Sequence, residues 1–284
     1  MNSRMIEGPA GKLELLSIIP DNPKGSILFC HGICHAAWCW ENFLPYFAQR
    51  NYSSYAVSYR SHGKSDKGFS IMRNYVEDVE AAIKVITDES GFKPHILGHS
   101  MGGAVVQKLI GEHSDIVSGA ILFASATAPK MPFFYTFFCS WFIQHFRLAN
   151  FIACFGKTYA GNKLKKSAFF AGGNVNPIDL ERYGRLLQRE PILVPFELFT
   201  IIYSQNYKLS SLFPILVIGS KSDLYFPKKS INKTAKAYRQ KPVILNGICH
   251  DMMLDIQWEK TAEYVFNFLE NNPCKKKNED DLTF

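Results

Sequence analysis

A serine nucleophile is the strongest chemical candidate in this sequence. Residues 98–102 read G-H-S-M-G, so that Ser100 stands between two glycines in the pattern G-x-S-x-G. The pattern is typical of a sharp turn from a strand into a helix, where small neighbours let the backbone pass close by and the hydroxyl faces a reacting carbonyl. Apolar residues before it and a helical pattern after it fit this context. The Met101 amide would then lie at a helix N-terminus, where it can stabilise an oxyanion.

A serine hydroxyl becomes a good nucleophile only when a base takes its proton. The chain has eight histidines, and His250 alone follows Ser100 in the loop after a late strand pattern, Val243–Leu245. The carboxyl edge of a parallel sheet would bring this loop back to the nucleophile. We therefore predict that His250 is the general base.

A catalytic histidine needs a carboxylate that orients its ring and stabilises the imidazolium. Asp223 follows the strand pattern Ile215–Ile218 and precedes His250 in the chain. Asp251 and Asp255 lie too close to His250 in sequence, or in a helix, to orient it well. We predict Asp223 as the acid, which puts the three residues in the order Ser, Asp, His.

The loop after the strand pattern Ile27–Cys30 is the candidate for the second oxyanion donor. It reads H-G-I-C-H-A-A-W-C-W from His31, and a turn at Gly32 would aim the Ile33 amide at the place where the Met101 amide points. Zinc binding is the rival interpretation, because the loop is dense in potential ligands: Cys30, His31, Cys34, His35 and Cys39. Their spacing lacks paired C-x₂-C motifs. We expect no metal and no organic cofactor.

These residues must be positioned by a sheet. Short apolar runs alternate with helical patterns, which predicts βαβ units and a mainly parallel sheet. Helical spacing runs over 71–86 and 258–269. The strand candidates are Lys12–Ile19 in a more polar opening pair, Ile27–Cys30, Tyr55–Tyr59, His95–Leu97, Ala120–Phe123, Ile215–Ile218 and Val243–Leu245.

Residues 127–212 interrupt this alternation and are too long for a plain crossover. The segment opens with the most aromatic stretch of the chain, residues 131–155, but Gln144, His145 and Arg147 break its apolar run and disfavour a membrane span. We predict a helical cap over the site, which is also a candidate for peripheral membrane contact. The candidate substrate contacts are His31, Gly32 and Trp38 of the loop and Phe133, Phe137 and Trp141 of the cap.

Composition sets the remaining expectations. The 284 residues carry a net charge of +7 from scattered basic residues, so we expect no nucleic-acid partner. Seven cysteines and an opening without a signal-type apolar stretch favour reduced thiols in the cytoplasm. We predict a core of residues 1–126 and 213–271, a cap of 127–212 and a flexible tail of 272–284. Oligomeric state has no signal in the sequence.

The landmarks occur in a characteristic order: H-G at 31–32, S-Y-R-S-H-G-K-S at 58–65, G-H-S-M-G-G at 98–103, then Asp223 and His250. In this order the chain resembles the α/β-hydrolase superfamily over residues 12–271. The resemblance implies a mostly parallel, eight-stranded sheet flanked by helices, with a helical cap after the sixth strand. It also implies a serine hydrolase of esterase or lipase type, acting through an acyl-enzyme on a small carboxylic ester with an apolar acyl chain.

The loop from His31 is similar to that of plant methylesterases and of the hydroxynitrile lyases related to them. The lyases carry a threonine where this chain has Gly32, and a lysine where it has Asp251. Both departures disfavour cyanohydrin cleavage. Five alternatives remain open: a thioesterase, an acyltransferase and a lyase that use the same triad on a biosynthetic intermediate, a cofactor-free haloperoxidase with that triad, and a non-catalytic receptor that binds a ligand in this fold.

Overall fold

The computed structural model describes residues 1–126, 169–200 and 212–277. Short 3₁₀ turns occur at Ala37–Trp40 and Ser114–Ile116. The strands are β1 (Asn2–Gly8), β2 (Gly11–Ile18), β3 (Gly25–Cys30), β4 (Tyr52–Val57), β5 (His95–His99), β6 (Gly119–Phe123), β7 (Ile215–Ser220) and β8 (Val243–Leu245). The described helices are α1 (Phe43–Ala48), α2 (Met72–Ser90), α3 (Met101–His113), α4 (Pro177–Leu186), α5 (Leu193–Thr200), α6 (Lys228–Ala237) and α7 (Trp258–Asn271).

The eight strands form one sheet in the order β1-β2-β4-β3-β5-β6-β7-β8. The β1–β2 and β2–β4 pairs are antiparallel and the other five pairs are parallel. This confirms the predicted eight-stranded, mostly parallel sheet with flanking helices. Because parallel strands end at one edge of the sheet, the loops after β3, β5, β7 and β8 meet there.

Two apolar layers cover the two faces of the sheet. Along β3, Leu28 and Cys30 pack into the layer that contains α2 and α3, whereas Ile27 and Phe29 pack into the layer that contains α1 and α7. Successive side chains of a strand point to opposite faces. Because β3 is covered on both faces, its side chains from Ile27 to Cys30 are all apolar and form a continuous apolar run. This run is why the sequence predicted the strand.

The described chain between β6 and β7 contains the helices α4 and α5. Helix α4 begins at Pro177, and the Asn176 side chain caps it by accepting a hydrogen bond from the Ile178 amide at 3.0 Å. Helix α5 follows. The predicted cap residues Phe133, Phe137 and Trp141 lie outside the described residues, so the division into core and cap stays a prediction.

The residues that follow α7 bond to the core. The Lys93 amide donates to the Lys275 carbonyl at 2.9 Å, and the Lys277 amide donates to the Gly91 carbonyl at 2.9 Å. Residues 274–277 are thus attached to the core by backbone hydrogen bonds. The bonded residues are more than 180 positions apart, so the local composition of the tail does not reveal them. Residues 278–284 of the predicted tail lie outside the described residues. In the ranges that the structure describes, no helix is both long and apolar enough to cross a bilayer.

Candidate active site

Ser100 occupies the turn between β5 and α3 with φ 54° and ψ −116°. Non-glycine residues seldom adopt such a conformation, and where they do it is usually held by the surrounding structure at a functional site. Here the Ser100 amide donates to the Phe123 carbonyl at 3.2 Å, and the Ser100 carbonyl accepts from the Ala126 amide at 3.0 Å. The end of β6 and the residues after it therefore hold the turn on both sides of the serine.

Close backbone packing explains the two glycines of the motif. A Cβ atom at Gly98 would overlap the carbonyl oxygen of Gly102 one helical turn away. A Cβ atom at Gly102 would in turn overlap the backbone carbonyls at the end of β3. Larger residues at either position would push the helix away from the sheet and displace the serine.

Gly32 brings the loop after β3 against the turn at Ser100. A Cβ atom at this position would lie 2.8 Å from His99 Nδ1 and 3.1 Å from the Ser100 Cβ. The Ile33 and Met101 amides follow Gly32 and Ser100 directly, and neither has a hydrogen-bond acceptor among the described residues. Unpaired backbone amides are rare in protein interiors. Two of them beside a serine suit an oxyanion site, and that role stays a prediction.

The His250 and Asp223 side chains are in direct contact. The Nδ1–H group of His250 donates to Oδ2 of Asp223 at 2.8 Å, and both side chains are buried. The other carboxylate oxygen accepts from the amides of Tyr225 at 2.7 Å and Phe226 at 3.0 Å. With Nδ1 as the donor, Nε2 is left with a lone pair that can accept a proton.

The surroundings of His250 set its proton affinity. Burial by itself lowers the pKa of His250, but the Asp223 carboxylate outweighs burial and raises the pKa above the ordinary histidine value. Aromatic rings surround the imidazole: Tyr225 at 4.8 Å, Phe226 at 5.6 Å and Phe169 at 6.2 Å between ring centroids. A base with a specific anionic partner inside an apolar wall is typical of catalytic sites.

His99 ties His250 to the turn at Ser100. Its Nε2–H group donates to the His250 carbonyl at 3.1 Å. Burial, together with the nearby His250, lowers the pKa of His99 to about 3, so this ring stays neutral. Because His99 directly precedes Ser100, the hydrogen bond fixes the backbone of His250 relative to the serine.

A potential metal-binding group lies in the same place. His99, His250 and Asp251 each offer one donor atom within 4.8 Å of the others. His250 Nδ1 bonds to Asp223 and His99 Nε2 bonds to the His250 carbonyl, whereas His99 Nδ1 and Asp251 Oδ1 have no hydrogen-bond partner among the described residues. This group does not include the cysteines of the loop after β3. Burial raises the pKa of the Cys30 and Cys39 thiols, which keeps them protonated and poor ligands.

His31 and Trp38, two of the predicted substrate contacts in the loop after β3, differ from each other in what they touch. The ring nitrogens of His31 bond to backbone groups, with Nδ1–H donating to the Gly32 carbonyl at 2.8 Å and Nε2 accepting from the Tyr59 amide at 3.2 Å. His31 thus braces the loop. Trp38 is half-buried and stacks on Tyr183 of α4 at 5.9 Å between centroids, so it contacts the segment inserted between β6 and β7.

Sequence reasoning missed several residues of the site. Tyr225 and Phe226 lie two and three residues after Asp223. Their position in the loop of the predicted acid could have indicated that their rings lie near the site. Phe169 and Glu190 carried no signal. Glu190 is a single acid in an irregular segment, yet it is fully buried and accepts a hydrogen bond from the Cys34 amide at 2.8 Å.

Comparison with known proteins identifies the family of this chain. A family model described as "Serine aminopeptidase, S33" matches residues 21–169, just over half of the chain. The chain belongs to this family. It is thus a member of the α/β-hydrolase superfamily, as its sequence motifs and sheet indicate. The region shared with the S33 family contains Ser100 but ends before Asp223 and His250.

Curated relatives of this S33 family member align over short segments. A monoacylglycerol lipase from Mycolicibacterium smegmatis is 30% identical over 107 residues, which are 34% of this chain and 38% of the lipase. Methyl jasmonate esterase 1 from Vitis vinifera is 27% identical over 104 residues, which are 36% of this chain and 40% of the esterase. The matched segment spans less than half the length of either relative.

Solved structures match over nearly the whole chain. A thermophilic esterase from Thermogutta terrifontis, solved with malate bound, superimposes with a TM-score of 0.76 over 96% of this chain and 100% of its own. The two sequences are 16% identical. The likeness establishes the fold of this S33 family member.

Proposed function

We propose that the protein hydrolyses carboxylic esters through an acyl-enzyme. Ser100 Oγ attacks the ester carbonyl while Nε2 of His250 takes the hydroxyl proton. The Ile33 and Met101 amides bind the oxyanion. The imidazolium then protonates the departing alcohol, and a water molecule deprotonated by the same ring releases the acid and restores the serine.

One observation carries this proposal: the 2.8 Å contact between His250 Nδ1 and Asp223 Oδ2. The family model does not reach either residue, so the contact is independent of the family match. It supports the proposal that His250 is the base and Asp223 its orienting carboxylate, on the sheet edge where Ser100 turns into α3.

An apolar ester is the substrate class that fits these surroundings. Three aromatic rings, those of Phe169, Tyr225 and Phe226, pack around the base. The aromatic residues 131–155 follow β6 in the chain and are proposed to extend this wall. The monoacylglycerol lipase and the methyl jasmonate esterase among the relatives are both named for ester substrates, which supports the same class.

Labelling with a fluorophosphonate probe tests the proposal. The probe reacts with serines whose hydroxyl is activated by a base, so the native protein should be labelled and should hydrolyse p-nitrophenyl butyrate. Ser100→Ala should lose both properties, and His250→Ala should lose nearly as much, because triad members act as a unit. Ser114→Ala, at the end of α3, is the matched control and should keep both.

Two outcomes would contradict the proposal. Labelling that persists in folded Ser100→Ala would place the nucleophile elsewhere. Native protein that is neither labelled nor active would favour a ligand-binding receptor. If labelling succeeds, assays with thioesters and with alcohols as acyl acceptors separate an esterase from a thioesterase or an acyltransferase that uses the same triad.

A further inference from the structure

Cys34 has a left-handed backbone conformation, with φ 66°. Glycine is the residue that adopts this region readily, whereas a cysteine does so only when the surrounding structure imposes it. Cys34 directly follows Ile33, whose amide is the proposed oxyanion donor. Whatever holds the Cys34 turn therefore also sets the direction of the Ile33 backbone.

One short segment of the insertion between β6 and β7 holds this turn from both sides. Oε2 of Glu190 accepts a hydrogen bond from the Cys34 amide at 2.8 Å. The Gln188 amide donates to the Cys34 carbonyl at 2.9 Å. The two peptide groups that flank the Cys34 α-carbon are thus fixed by residues 188–190, more than 150 positions later in the chain.

Glu190 is itself fixed by the core. Oε2 accepts from Nε2–H of His62 at 3.1 Å, and Oε1 accepts from the Tyr75 hydroxyl at 2.8 Å. The opposite nitrogen of the His62 ring donates to the Arg60 carbonyl at 3.1 Å. Burial alone raises the pKa of Glu190, but His62 outweighs it and lowers the pKa. The Cys34 amide therefore bonds to a carboxylate that is ionised and fully enclosed.

We propose that Glu190 is a positioning residue, which holds Cys34 in its left-handed conformation and so directs the Ile33 amide at the reacting carbonyl oxygen. The inference rests on the proposed function, in which that amide stabilises the oxyanion. Without an acceptor on Glu190, the Cys34 turn loses the contact that holds its amide and can shift towards the conformations that cysteine favours. The oxyanion would lose a well-aimed donor while the serine, its base and the substrate wall remain.

The first test separates kcat from KM. Loss of an oxyanion donor costs about 10²–10³ in kcat, so Glu190→Ala, which misdirects the donor, should lower kcat by about 10- to 100-fold. KM should change less than about threefold, because the oxyanion forms only in the transition state. Glu190→Gln keeps an acceptor oxygen for the Cys34 amide and should retain kcat within about threefold.

Rescue provides the second test. Glycine adopts φ 66° without support from Glu190. The double variant Glu190→Ala/Cys34→Gly should therefore have a kcat at least about tenfold higher than that of Glu190→Ala. A trifluoromethyl ketone, which forms a tetrahedral adduct with the serine, should bind Glu190→Ala weakly in proportion to the loss of kcat. A purely structural role for Glu190 predicts neither result.

Arg182→Ala is the matched control. Arg182 also joins the insertion to the core, by two hydrogen bonds to Glu41, but it does not touch the Cys34 turn. It should leave kcat within about threefold of the native value. Circular dichroism shows whether Glu190→Ala folds. If it does not, the double variant His62→Leu/Glu190→Leu takes its place in the kcat and ketone assays. The double variant removes both buried charges, and paired removal is tolerated better than a lone buried charge.

Three results would overturn the inference. Native kcat in folded Glu190→Ala, or in His62→Leu/Glu190→Leu where that variant replaces it, would show that the contact does not direct the donor. Equal losses in Arg182→Ala and Glu190→Ala would show that any anchor of the insertion has this effect. Loss of kcat without rescue by Cys34→Gly would separate Glu190 from the turn. Native protein without Ser100-dependent labelling would instead refute the proposed function, so the two failures are distinguishable.

Discussion

The carboxylate of Asp251 accepts a hydrogen bond from Nε2 of His35 at 2.9 Å, with neither side chain exposed to solvent. The second ring nitrogen of His35 donates to the Ile33 carbonyl at 2.7 Å. Both nitrogens of the buried His35 ring thus face oxygen atoms of other residues. The His35 ring joins the residue that follows the proposed base, His250, to the residue that carries the proposed oxyanion amide.

Removal of Asp251 should affect stability more than chemistry. Asp251→Ala leaves Nε2 of His35 buried without its hydrogen-bond partner and should lower the free energy of unfolding by about 1–3 kcal/mol. Asp251→Asn keeps an acceptor and should cost less. Because Asp223 still orients the base, Asp251→Asn should keep kcat within about tenfold. Urea unfolding and ester assays on the same samples check both statements.

Acid unfolding gives a further measurement on Asp251. Burial alone raises the pKa of this carboxyl, but His35 outweighs it and lowers the pKa below the ordinary aspartate value of 3.8. A carboxyl with a lowered folded pKa stabilises the fold above its unfolded pKa, and that stabilisation is lost as the pH falls through the folded pKa. The native protein should lose stability below about pH 4 more steeply than Asp251→Asn does.

Asp223→Asn should reduce kcat strongly while leaving the protein folded. The amide permits the wrong imidazole tautomer, and the corresponding change in a serine triad costs about 10³–10⁴ in rate. Asp251→Asn is the control, because it removes a carboxylate of the same neighbourhood that does not contact the His250 ring. Near-native activity in Asp223→Asn together with inactivity in Asp251→Asn would show that the acid has been assigned to the wrong residue.

The pH dependence of kcat/KM should reflect the His250–Asp223 contact. The base must be neutral to accept the serine proton, and the pKa of His250 is raised above the ordinary value of 6.5. Activity should therefore fall as the pH drops, with a midpoint above 6.5. Replacing Asp223 by Asn removes the raising charge and should move the midpoint of the residual activity to lower pH. An unchanged midpoint would mean that the titration of another group causes the fall in kcat/KM at low pH.

Acyl chain length should change the rate. Each methylene buried against an apolar wall contributes about 0.8 kcal/mol, or roughly fourfold in affinity. The value of kcat/KM should rise from p-nitrophenyl acetate to medium-chain esters and fall once the pocket is filled. The series from acetate to decanoate measures this. A flat or steadily falling series would favour a compact polar or aromatic substrate, with the aromatic residues of 131–155 packing only the cap.

Cyanohydrin cleavage should be absent. Gly32 provides no hydroxyl beside Ser100, and Asp251 provides an anion, already engaged by His35, where the similar lyases place a cation. Cyanide release from mandelonitrile should therefore equal that of Ser100→Ala. Enantioselective release above this background would move the protein to the lyase class.

The sequence by itself determined the sheet, the nucleophile turn and the order of the candidate residues. These features are local: an apolar run covered on both faces, glycines where backbones touch at Gly98 and Gly102, and loops that follow strands at one edge. Such signals lie within a few residues of the feature that they predict, so a single chain shows them. The prediction of Asp223 as the partner of His250 also followed from topology, because neighbouring parallel strands end at the same edge.

Only the tertiary structure decided what holds the site together. His35 bonds to Asp251, His99 bonds to the His250 carbonyl and Glu190 bonds to the Cys34 amide. Each of these contacts joins residues more than 150 positions apart, and each depends on the angle and depth at which segments pack, which periodicity does not encode. The attachment of residues 274–277 to the start of β5 has the same origin. A buried polar contact is specified by all the elements around it, so its partners become visible only when those elements are in place.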